Sequence, residues 1–587
     1  MSFRRPQIVP DLASAARGAE DFVWSRAHPT AAAQPVLPLY KDKPLPTSSR
    51  HGGRRRLLLG VLLAGMLMLV YQYSRDSLSS LSPSSRRARM VAQIMRTRRD
   101  AVKTVFIDSW DGYEQNGYGA DVYRPIAKTS RNLGPQGGLG WLVVDALDTM
   151  MLMGLDKQVE HARQWIMTNL TLDQDYTAST FETTIRILGG LLSAHYLSDY
   201  DDAYLEKAVD LANRLLGAFD SPSGVPYASV NLHTSVGVAS PENSGASTTA
   251  EAAGMEIELK YVSKLTGEAL YWDKAQQVMA VLAANRPRDG LPYTLIDPIS
   301  GAFQGSTIGL GARGDSYYEY LLKQFLQTKE EEKVYRDLYD EAVTGIRQHL
   351  VEVLPSGLTI VGVLDQGFSG PRSSRMDHLA CFFPGLLALG ATNGNSLSDM
   401  PALSESQSAD LALARSLMDT CYAMARSTKT GLAPEVSHFN TDANADIAIE
   451  TRRPDFESML RPEIVESLFV MWRITGEEQF RERAWTIFEA IRTYARLPAP
   501  RTGYAPLMNV NQIPAVHYDV LVPYFLSETL KYLYLIFDDE NTDRTDLSQV
   551  VFNTQAHPLP RFSMHPLFET GWSRNEDQAE AKKEVKK

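Results

Sequence analysis

With 587 residues and 65.3 kDa, the chain is long enough to bury a large core, and its 44% hydrophobic and 22% charged residues are ordinary for a globular protein. Its net charge of −11 and its pI of about 5.6 exclude the basic surface that nucleic-acid binding requires, so we expect no nucleic-acid partner. Two cysteines, Cys381 and Cys421, are too few for a disulfide scaffold or a CxxC-type zinc site, and they form either one bridge or two buried thiols.

The N-terminal part of the chain predicts a membrane anchor. Residues 57–73, LLLGVLLAGMLMLVYQY, carry no formal charge and directly follow three arginines at 54–56. The run is near the lower limit for spanning hydrocarbon, and the arginines place the preceding side in the cytosol. A cleaved signal peptide is the competing interpretation, but it would lie within about the first 15 to 30 residues. The sequence therefore favours a signal anchor that ties the chain to the membrane through one helix.

The segments on either side of this anchor lack sustained apolar periodicity. We expect residues 1–56 to form a disordered cytosolic tail and residues 74–90 a stem of the same kind. The rest of the chain would then face the secretory lumen. In that compartment Asn169, in Asn-Leu-Thr, becomes a usable glycosylation acceptor.

From about residue 92 to 540, apolar residues recur at helical spacing between loops rich in Gly, Pro, Asn and Ser. Several of these helical segments open with an aromatic residue that is followed four residues later by alanine. The pairs are Tyr204 and Ala208, Tyr271 and Ala275, and Phe480 and Ala484, with a looser copy at Tyr335. Successive copies are 67, 64 and 145 residues apart, the last gap being about twice the others.

A repeat of this size suits about seven pairs of helices in one all-α domain, as either an open solenoid or a closed ring. We assign residues 91–570 to this domain and the charged residues 571–587 to a disordered tail.

Glycoside hydrolysis requires one acid to protonate the leaving oxygen and a second carboxylate to activate water or attack carbon, so acids placed where helix formation does not favour them are candidates. Glu182 lies four residues before Arg186 beside an apolar stripe, although a surface ion pair explains this spacing equally well. Asp315 follows a glycine-rich loop at a helix start, where Ser316 and Glu319 satisfy a capping box without it.

Further acids occupy other helical segments. Glu463 and Glu466 lie in a first turn after Pro462, where acids also complement the helix dipole. Glu251 and Glu258 are seven residues apart, on one face of one predicted helix. Polar residues in similar apolar surroundings are Asp377, His378, Glu435 and Glu528. Taken alone, each of these residues is explained as a buried polar group whose hydrogen bonds are satisfied. Together they indicate a polar cavity inside the repeat.

Several segments resemble, in the expected order, the class I α1,2-mannosidases of the secretory pathway. They include WDGY (110–113), DALDTMMLMGL (145–155), FETTIRILGGLLSA (181–194), GDSYYEYLLKQ (314–324), MDHLACFFPGLLALGA (376–391), LRPEIVESLF (460–469) and VFNTQAHPL (551–559). The resemblance covers about residues 90–570. It implies an (α/α)7 barrel that removes α1,2-linked mannose from the oligomannose N-glycans of glycoproteins with inversion, between carboxyl groups about 6.5 to 9.5 Å apart.

The resemblance also implies roles for individual residues. Glu182 resembles the general acid, acting through water, and Glu463 the base that activates the attacking water. Asp315 is the third catalytic carboxylate, and its division of labour with Glu182 stays open. Thr554 matches a threonine that binds Ca²⁺ through its hydroxyl and carbonyl oxygens, while water and sugar hydroxyls complete the coordination. The residues that match the polar lining of the family's cavity are Arg186, Glu251, Glu258, Asp377, His378, Glu435, Arg461, Glu466 and Glu528, and Cys381 and Cys421 match its disulfide.

Three positions depart from the pattern of the family that the chain resembles, and a fourth indicates the subtype. Gln555 replaces a Glu beside the calcium threonine, which we expect to weaken the outer shell of the metal. Tyr524 replaces a Phe that stacks under the terminal sugar, and Ala146 replaces a Ser without a consequence that we can assign. Arg313 resembles the arginine of the endoplasmic reticulum type, whose fixed donors would hold a glycan branch and restrict trimming to one mannose. The expected location is therefore the endoplasmic reticulum membrane with a lumenal catalytic domain, and the Golgi membrane is the second choice.

Two other functions compete with this interpretation. One is a degradation factor that binds mannose-rich glycans with little or no hydrolysis. Relatives of that kind usually lack the anchor and the cysteine pair, whereas all three catalytic acids are present here. The other is a helical scaffold without catalytic activity.

Overall fold

A computed structural model describes residues 83–442, 448–500, 503–540 and 542–573. The predicted cytosolic tail, the anchor, most of the stem and residues 574–587 of the charged tail lie outside these ranges. Among the residues that are described, no helix combines the length and apolar character needed to cross a bilayer. The first helix of the described residues begins at Pro83, so residues 83–90, which the sequence assigns to the stem, are helical.

The described chain is mostly helical, as predicted. In chain order its helices are α1 (Pro83–Gly117), α2 (Leu147–Leu152), α3 (Asp156–Thr168), α4 (Thr180–Thr183), α5 (Gly189–Leu197), α6 (Asp202–Leu215), α7 (Thr249–Ala252), α8 (Glu256–Thr266), α9 (Ala269–Ala284), α10 (Asp315–Gln327), α11 (Lys333–His349), α12 (Phe383–Thr392), α13 (Glu405–Arg426), α14 (Glu463–Thr475), α15 (Glu478–Ala490) and α16 (Leu530–Phe537). A π-helical turn, Thr184–Leu188, joins α4 to α5, and a second one, Phe525–Thr529, leads into α16.

These helices form an inner and an outer layer. The inner helices contact one another in the order α2, α5, α8, α10, α12, α14 and α16, and the turn before α16 contacts α2 again. The outer helices α3, α6, α9, α11, α13 and α15 each follow an inner helix along the chain, and α1 packs against α16. Within the described residues this makes seven inner–outer pairs in a ring, rather than an open solenoid.

The aromatic and alanine repeat marks the outer helices, as the sequence predicts. Tyr204, Tyr271, Tyr335 and Phe480 are each the third residue of an outer helix, and none is more than 4% exposed. The alanines one turn later are fully buried. Residues four apart share a helical face, so each pair presents one ring and one small side chain to the inner layer.

Short strands lie in the segments between the helices and after the last helix. They are β1 (Val122–Arg124), β2 (Thr129–Arg131), β3 (Thr177–Ser179), β4 (Ser229–Asn231), β5 (Val236–Val238), β6 (Ser247–Thr248), β7 (Leu295–Ile296), β8 (Phe303–Gln304), β9 (Val351–Val353), β10 (Thr359–Val361), β11 (Arg375–Asp377), β12 (Val436–Phe439), β13 (Ile449–Glu450), β14 (Val550–Phe552) and β15 (Pro558–Pro560). In three antiparallel sheets, the strand that leads into an inner helix pairs with a hairpin that follows the next outer helix: β3-β4-β5, β6-β7-β8 and β11-β12-β13. The starts of the inner helices are therefore held beside the hairpins on one face of the ring.

The single helix predicted through Glu251 and Glu258 is wrong. α7 ends at Ala252 and α8 begins at Glu256, so the two acids lie on different helices. Gly254 in the break lies so close to its surroundings that an added Cβ would approach the Ala250 carbonyl oxygen to 2.7 Å. Tertiary packing at this point overrides the helix-forming tendency of the neighbouring residues.

The predicted disulfide is confirmed. Cys381 lies in the 3₁₀ turn His378–Phe382 that precedes α12, and Cys421 lies on α13. Their Cα atoms are 5.9 Å apart in a bonded pair that spans 40 residues, and both residues are fully buried. The bridge ties the start of an inner helix to its outer partner.

Candidate active site

A cavity of about 690 Å³ lies at the face where the inner helices begin. Of the residues that the sequence marks for the site, its lining includes Glu182, Arg186, Glu251, Arg313, Asp315, Arg461, Glu463, Tyr524, Glu528 and Thr554. These side chains come from segments up to 372 residues apart in the sequence. Asn169 lies elsewhere, exposed directly after α3, where a glycan would meet solvent.

Glu182 and Arg186 form a pair on the wall of this cavity. The Ser179 hydroxyl accepts a hydrogen bond from the Glu182 backbone N–H at 3.2 Å and thereby caps α4. Arg186 Nε donates to Glu182 Oε2 at 2.6 Å, and Arg186 is only 8% exposed while the Glu182 side chain is 34% exposed. Burial alone would lower the pKa of Arg186, but the carboxylates of Glu182 and Asp145 outweigh burial and raise that pKa. The pair is therefore not an ordinary surface ion pair.

Asp315 is the first residue of α10, directly after Gly314. The predicted capping box is wrong, because Gly314 occupies the cap position and Ser316 lies inside the helix. Asp315 Oδ1 accepts from the Ser316 backbone N–H at 2.9 Å. Burial raises the pKa of Asp315 to about 7, with a further rise from the carboxylates of Glu319 and Glu463, so this acid changes protonation near neutral pH.

Glu463 is the first residue of α14 and stands opposite a neutral histidine. Burial raises the pKa of Glu463 to about 7, although Arg461 opposes the rise. His378 Nε2 is 3.8 Å from Glu463 Oε2, and burial lowers the pKa of His378 to about 3. The imidazole is therefore uncharged at neutral pH and does not neutralise the carboxylate.

Arg461 organises the part of the wall next to Glu463. Its Nε donates to Glu435 Oε2 at 2.5 Å, and Glu435 Oε1 accepts from the Met459 backbone N–H at 3.0 Å. The ring of Tyr524 lies 5.6 Å from the Arg461 guanidinium and 5.9 Å from that of Arg186. One aromatic ring at the cavity therefore lies close to two cations.

Of the remaining predicted carboxylates, Glu251 and Glu528 line the cavity, whereas Asp377 and Glu466 do not. Asp377 Oδ2 lies 3.4 Å from the Ala312 backbone nitrogen, beside the loop that leads to Asp315. Burial raises the pKa of Glu466 to about 8 and that of Glu528 well above its usual range. Burial also raises the pKa of Glu251, whose Oε2 accepts from the Thr248 hydroxyl at 2.8 Å.

Thr554 lies on a loop whose base is anchored by buried hydrogen bonds. Asn553 Nδ2 donates to Glu258 Oε1 at 2.8 Å and to the Ile185 carbonyl at 2.9 Å, and Tyr320 donates to the same Glu258 oxygen at 2.9 Å. Thr554 Oγ1 lies 3.4 Å from the Ser316 hydroxyl. Glu258 therefore supports the Thr554 loop and does not line the cavity, and burial raises its pKa to about 7.

The oxygen atoms around Thr554 fit a hard cation. In the described parts of the chain, no three His, Cys, Asp or Glu side chains gather as a metal site. Thr554 instead offers a hydroxyl and a carbonyl oxygen, and Oε2 of Glu258, whose other oxygen binds the adjacent Asn553, has no hydrogen-bond partner among the described residues. A calcium ion accepts oxygen ligands of this kind and completes its shell with water.

Sequence reasoning missed a buried ionic network on the helices behind this wall. Asp148 Oδ2 accepts from Lys531 Nζ at 2.8 Å and lies 2.8 Å from His557 Nδ1, whose Nε2 is 3.3 Å from Asp145 Oδ1. Burial alone would raise the pKa of Asp148, but Lys531 and His557 outweigh it and lower that pKa to about 2. Gln555 Nε2 donates to Asp145 Oδ2 at 3.1 Å, so the network reaches the residue next to Thr554. The sequence did contain a signal for this network, because Asp145 and Asp148 lie in the apolar segment VVDALDTMMLM and Lys531 lies in LKYLYLIF. Charged residues in apolar segments indicate buried charges that need partners.

Comparisons with known proteins agree with this geometry. The family model described as glycosyl hydrolase family 47 matches residues 105–561. The chain is 45% identical over 536 residues to a mannosyl-oligosaccharide 1,2-alpha-mannosidase of Candida albicans, which covers 89% of this chain and 93% of that protein. It is 44% identical over 473 residues to an endoplasmic reticulum mannosyl-oligosaccharide 1,2-alpha-mannosidase of Schizosaccharomyces pombe, and the match covers 79% of this chain and 90% of that protein.

A solved structure extends the similarity to the fold. The alpha-1,2-mannosidase from Trichoderma reesei superposes with a TM-score of 0.71 at 26% identity, over 79% of this chain and 99% of that one. The family match spans most of the chain and includes every residue that lines the cavity. The chain belongs to glycosyl hydrolase family 47.

Proposed function

We propose that this chain is a mannosyl-oligosaccharide 1,2-alpha-mannosidase, built on an (α/α)7 barrel, that removes terminal α1,2-linked mannose from oligomannose N-glycans with inversion. The observation that carries the proposal is the convergence of Glu182, Asp315 and Glu463 on one cavity. The relatives from Candida albicans and Schizosaccharomyces pombe are named for this activity. We expect turnover rather than glycan binding alone.

Glu463 is assigned the role of general base. A base is most effective when its pKa lies near the working pH, and burial brings the pKa of Glu463 to about 7. The neighbouring His378 stays neutral, so the Glu463 carboxylate is free to take a proton from the water that attacks the anomeric carbon. An inverting enzyme needs this second carboxylate on the face of the sugar opposite the leaving group.

The proton donor is assigned to Glu182, acting through water, with Asp315 as the third carboxylate. Arg186 holds the Glu182 carboxyl group by the 2.6 Å contact from its Nε. Asp315 also has a pKa of about 7, which is the range a general acid needs near neutral pH. Which of the two delivers the proton is decided by comparing their Gln and Asn variants on a substrate with an activated leaving group, because such a substrate needs no acid.

We assign a calcium ion to the Thr554 hydroxyl and carbonyl oxygens. The ion, when bound, supplies a positive charge that orients sugar hydroxyl groups in the cavity. The chain's own contribution is to hold the Thr554 loop: Asn553 fixes it to Glu258 and to the Ile185 carbonyl. Gln555, the neutral replacement beside Thr554, donates into the buried network rather than adding a negative charge near the ion.

The substrate would contact the rest of the lining. Tyr524 offers an aromatic face under the terminal sugar, and Arg461, Glu251 and Arg186 offer hydrogen-bonding groups to its hydroxyls, while Glu435 holds Arg461 from outside the lining. Other residues assigned to support or line this polar site are Glu258, Arg313, Asp377, His378, Glu466 and Glu528.

We place the enzyme in the endoplasmic reticulum, in accordance with the name of the Schizosaccharomyces pombe relative. Residues 57–73 are assigned to a membrane anchor and the catalytic domain to the lumenal side. The three arginines at 54–56 support this orientation. A protease-protection assay on intact microsomes tests it, since a lumenal domain is digested only after detergent is added.

The activity is tested by incubating the full chain, in detergent micelles with calcium, with a free oligomannose glycan. Mass spectrometry should show loss of hexose, mainly of one residue, and proton NMR should show β-mannose as the first product because inversion converts the α linkage. Glycan binding without mannose release would instead favour the degradation factor. α-Mannose as the first product would overturn the inverting mechanism and with it the assignment of Glu463 as base.

A further inference from the structure

A second cavity, of about 590 Å³, lies on the loops between α9 and α10 and on the turn that follows β10. We refer to it as the aromatic pocket, because the rings of Tyr293, Phe303 and Phe368 line it. The Arg288 guanidinium lies 4.4 Å from the centroid of the Phe368 ring. Neither the proposed hydrolysis nor the proposed calcium site uses any of these residues.

The aromatic pocket carries polar groups that lack partners. Arg286 and Gln366 are exposed, and neither side chain has a hydrogen-bond or ionic partner among the described residues, nor does the hydroxyl of the half-buried Tyr293. Arg288 differs, since its Nε lies 3.5 Å from Asp289 Oδ2. The pocket thus combines apolar ring faces with a free guanidinium, amide and phenol, as small-molecule sites commonly do.

A single strand separates the aromatic pocket from the candidate active site. The Thr249 hydroxyl donates to the Tyr293 carbonyl at 2.6 Å, and its backbone N–H donates to the Thr294 carbonyl at 3.0 Å. The two neighbours of Thr249, Thr248 and Ala250, line the active-site cavity. Paired strands lie about 5 Å apart, so the two cavities border neighbouring segments of the chain.

We propose that the aromatic pocket binds a second, uncleaved branch of the same oligomannose substrate, a neutral chain of hexoses. This inference rests on the proposed function. Ring faces of Phe303 and Tyr293 pack on the apolar faces of sugar rings, while Gln366 and Arg286 donate to hydroxyl groups. Arg288 is already paired, and the lining contains no carboxylate. The groups left to bind a ligand are therefore the Arg286 guanidinium, the Gln366 amide and the Tyr293 hydroxyl, which can all form hydrogen bonds with sugar hydroxyls.

The test compares a branched oligomannose glycan with the disaccharide α1,2-mannobiose, which fills only the active-site cavity. Phe303→Ala and Gln366→Ala should each raise KM for the branched glycan by about three- to tenfold, the effect of one lost ring contact or hydrogen bond. Both variants should leave kcat/KM for mannobiose unchanged. Gln304→Ala is the matched control, since Gln304 is the next residue on β8, is exposed and does not line the pocket.

Each outcome decides the proposal. The proposal would be overturned if both variants, the control and the unmodified chain had the same KM for the branched glycan. If KM rose in the two variants only when the glycan was attached to an acidic peptide, the pocket would bind polypeptide rather than sugar. That result would overturn the proposal as well. If the unmodified chain released no mannose from either substrate, the proposed function would fail. Titration calorimetry of the branched glycan against the unmodified chain and Phe303→Ala would then still decide whether the pocket binds sugar.

Discussion

Arg186 joins Glu182 to Asp145, since its Nε donates to Glu182 Oε2 at 2.6 Å and its Nη1 lies 3.4 Å from Asp145 Oδ2. The first carboxylate lines the cavity, whereas the second is fully buried. Arg186, which orients Glu182, is therefore itself held by Asp145 in the core. His557 Nε2 lies 3.3 Å from the other oxygen of Asp145. Core packing and the chemistry of the cavity wall are coupled through one guanidinium.

Glu463→Gln should abolish turnover while the fold stays intact. An amide cannot take the proton of the attacking water, and loss of a general base typically costs about 10²- to 10⁴-fold in rate. Glu450→Gln, at a half-buried carboxyl on β13 that pairs with Arg452 and does not line the cavity, is the control and should keep normal kcat. Mannose release and circular dichroism of both variants give the measurement. Normal turnover by Glu463→Gln would leave the scaffold hypothesis standing.

Removal of calcium should abolish activity and lower thermal stability together. An ion that binds only the folded chain stabilises it by RT ln(1 + [L]/Kd), about 2.7 kcal/mol at 100 Kd. Thr554→Ala removes the hydroxyl oxygen and should shift the calcium dependence of Tm to higher concentration. Differential scanning calorimetry at increasing calcium concentrations measures this shift of Tm without any assay of activity. A Tm independent of calcium in the unmodified chain would remove Thr554 from a metal site.

Arg313→Leu should change how far trimming proceeds. Arg313 lines the cavity, is exposed, and its side chain makes no hydrogen bond or salt bridge with the described residues, so its donors are available to a glycan branch. A guanidinium that holds a branch limits the orientations of the glycan, whereas leucine cannot. The unmodified chain should stop mainly after one mannose, and the variant should release several. Arg375→Leu, whose guanidinium is paired with Asp365 at 2.9 Å, is the control. Identical product ladders from the two variants would exclude this role of Arg313.

Local signals in the sequence predicted much of this arrangement. The ring and alanine spacing found the outer helices because Tyr204 and Phe480 both meet the inner layer one turn before an alanine. Acids at helix starts predicted Asp315 and Glu463, since each is the first residue of its helix. Such features depend on neighbours within one or two turns, and sequence spacing reports those neighbours directly.

Contacts between distant segments could not be predicted in this way. Asp148 and Lys531 are 383 residues apart, and nothing near either residue identifies the other. The break at Gly254 has the same origin, because an added Cβ would lie 2.8 Å from Phe181 and 3.0 Å from Ser316, on two other helices. In both cases tertiary packing decides, and local propensity is a weak guide to it.

Lys531→Met should destabilise the chain strongly at neutral pH. Both Lys531 and Asp148 are almost completely buried, and removal of one partner of a buried ion pair typically costs about 3 to 5 kcal/mol because the other charge is left uncompensated. Lys429→Met, at an exposed lysine whose side chain has no described partner, is the control and should change the free energy of unfolding by less than about 0.5 kcal/mol. Urea denaturation at pH 7 measures both.

The same variant should show a characteristic dependence on pH. In the folded chain the pKa of Asp148 is lowered to about 2 from its ordinary value of 3.8, so its stabilisation is present above pH 3.8 and is lost as the pH falls through 2. Without Lys531 the folded pKa of Asp148 rises, and the loss therefore begins at higher pH. Urea denaturation at pH 7, 5 and 3.5 should find the difference between the unmodified chain and Lys531→Met largest at the two higher values and smaller at the lowest, where Asp148 of the variant is protonated. A difference that stays constant over this range would mean that Lys531 stabilises the core by packing and not through its charge.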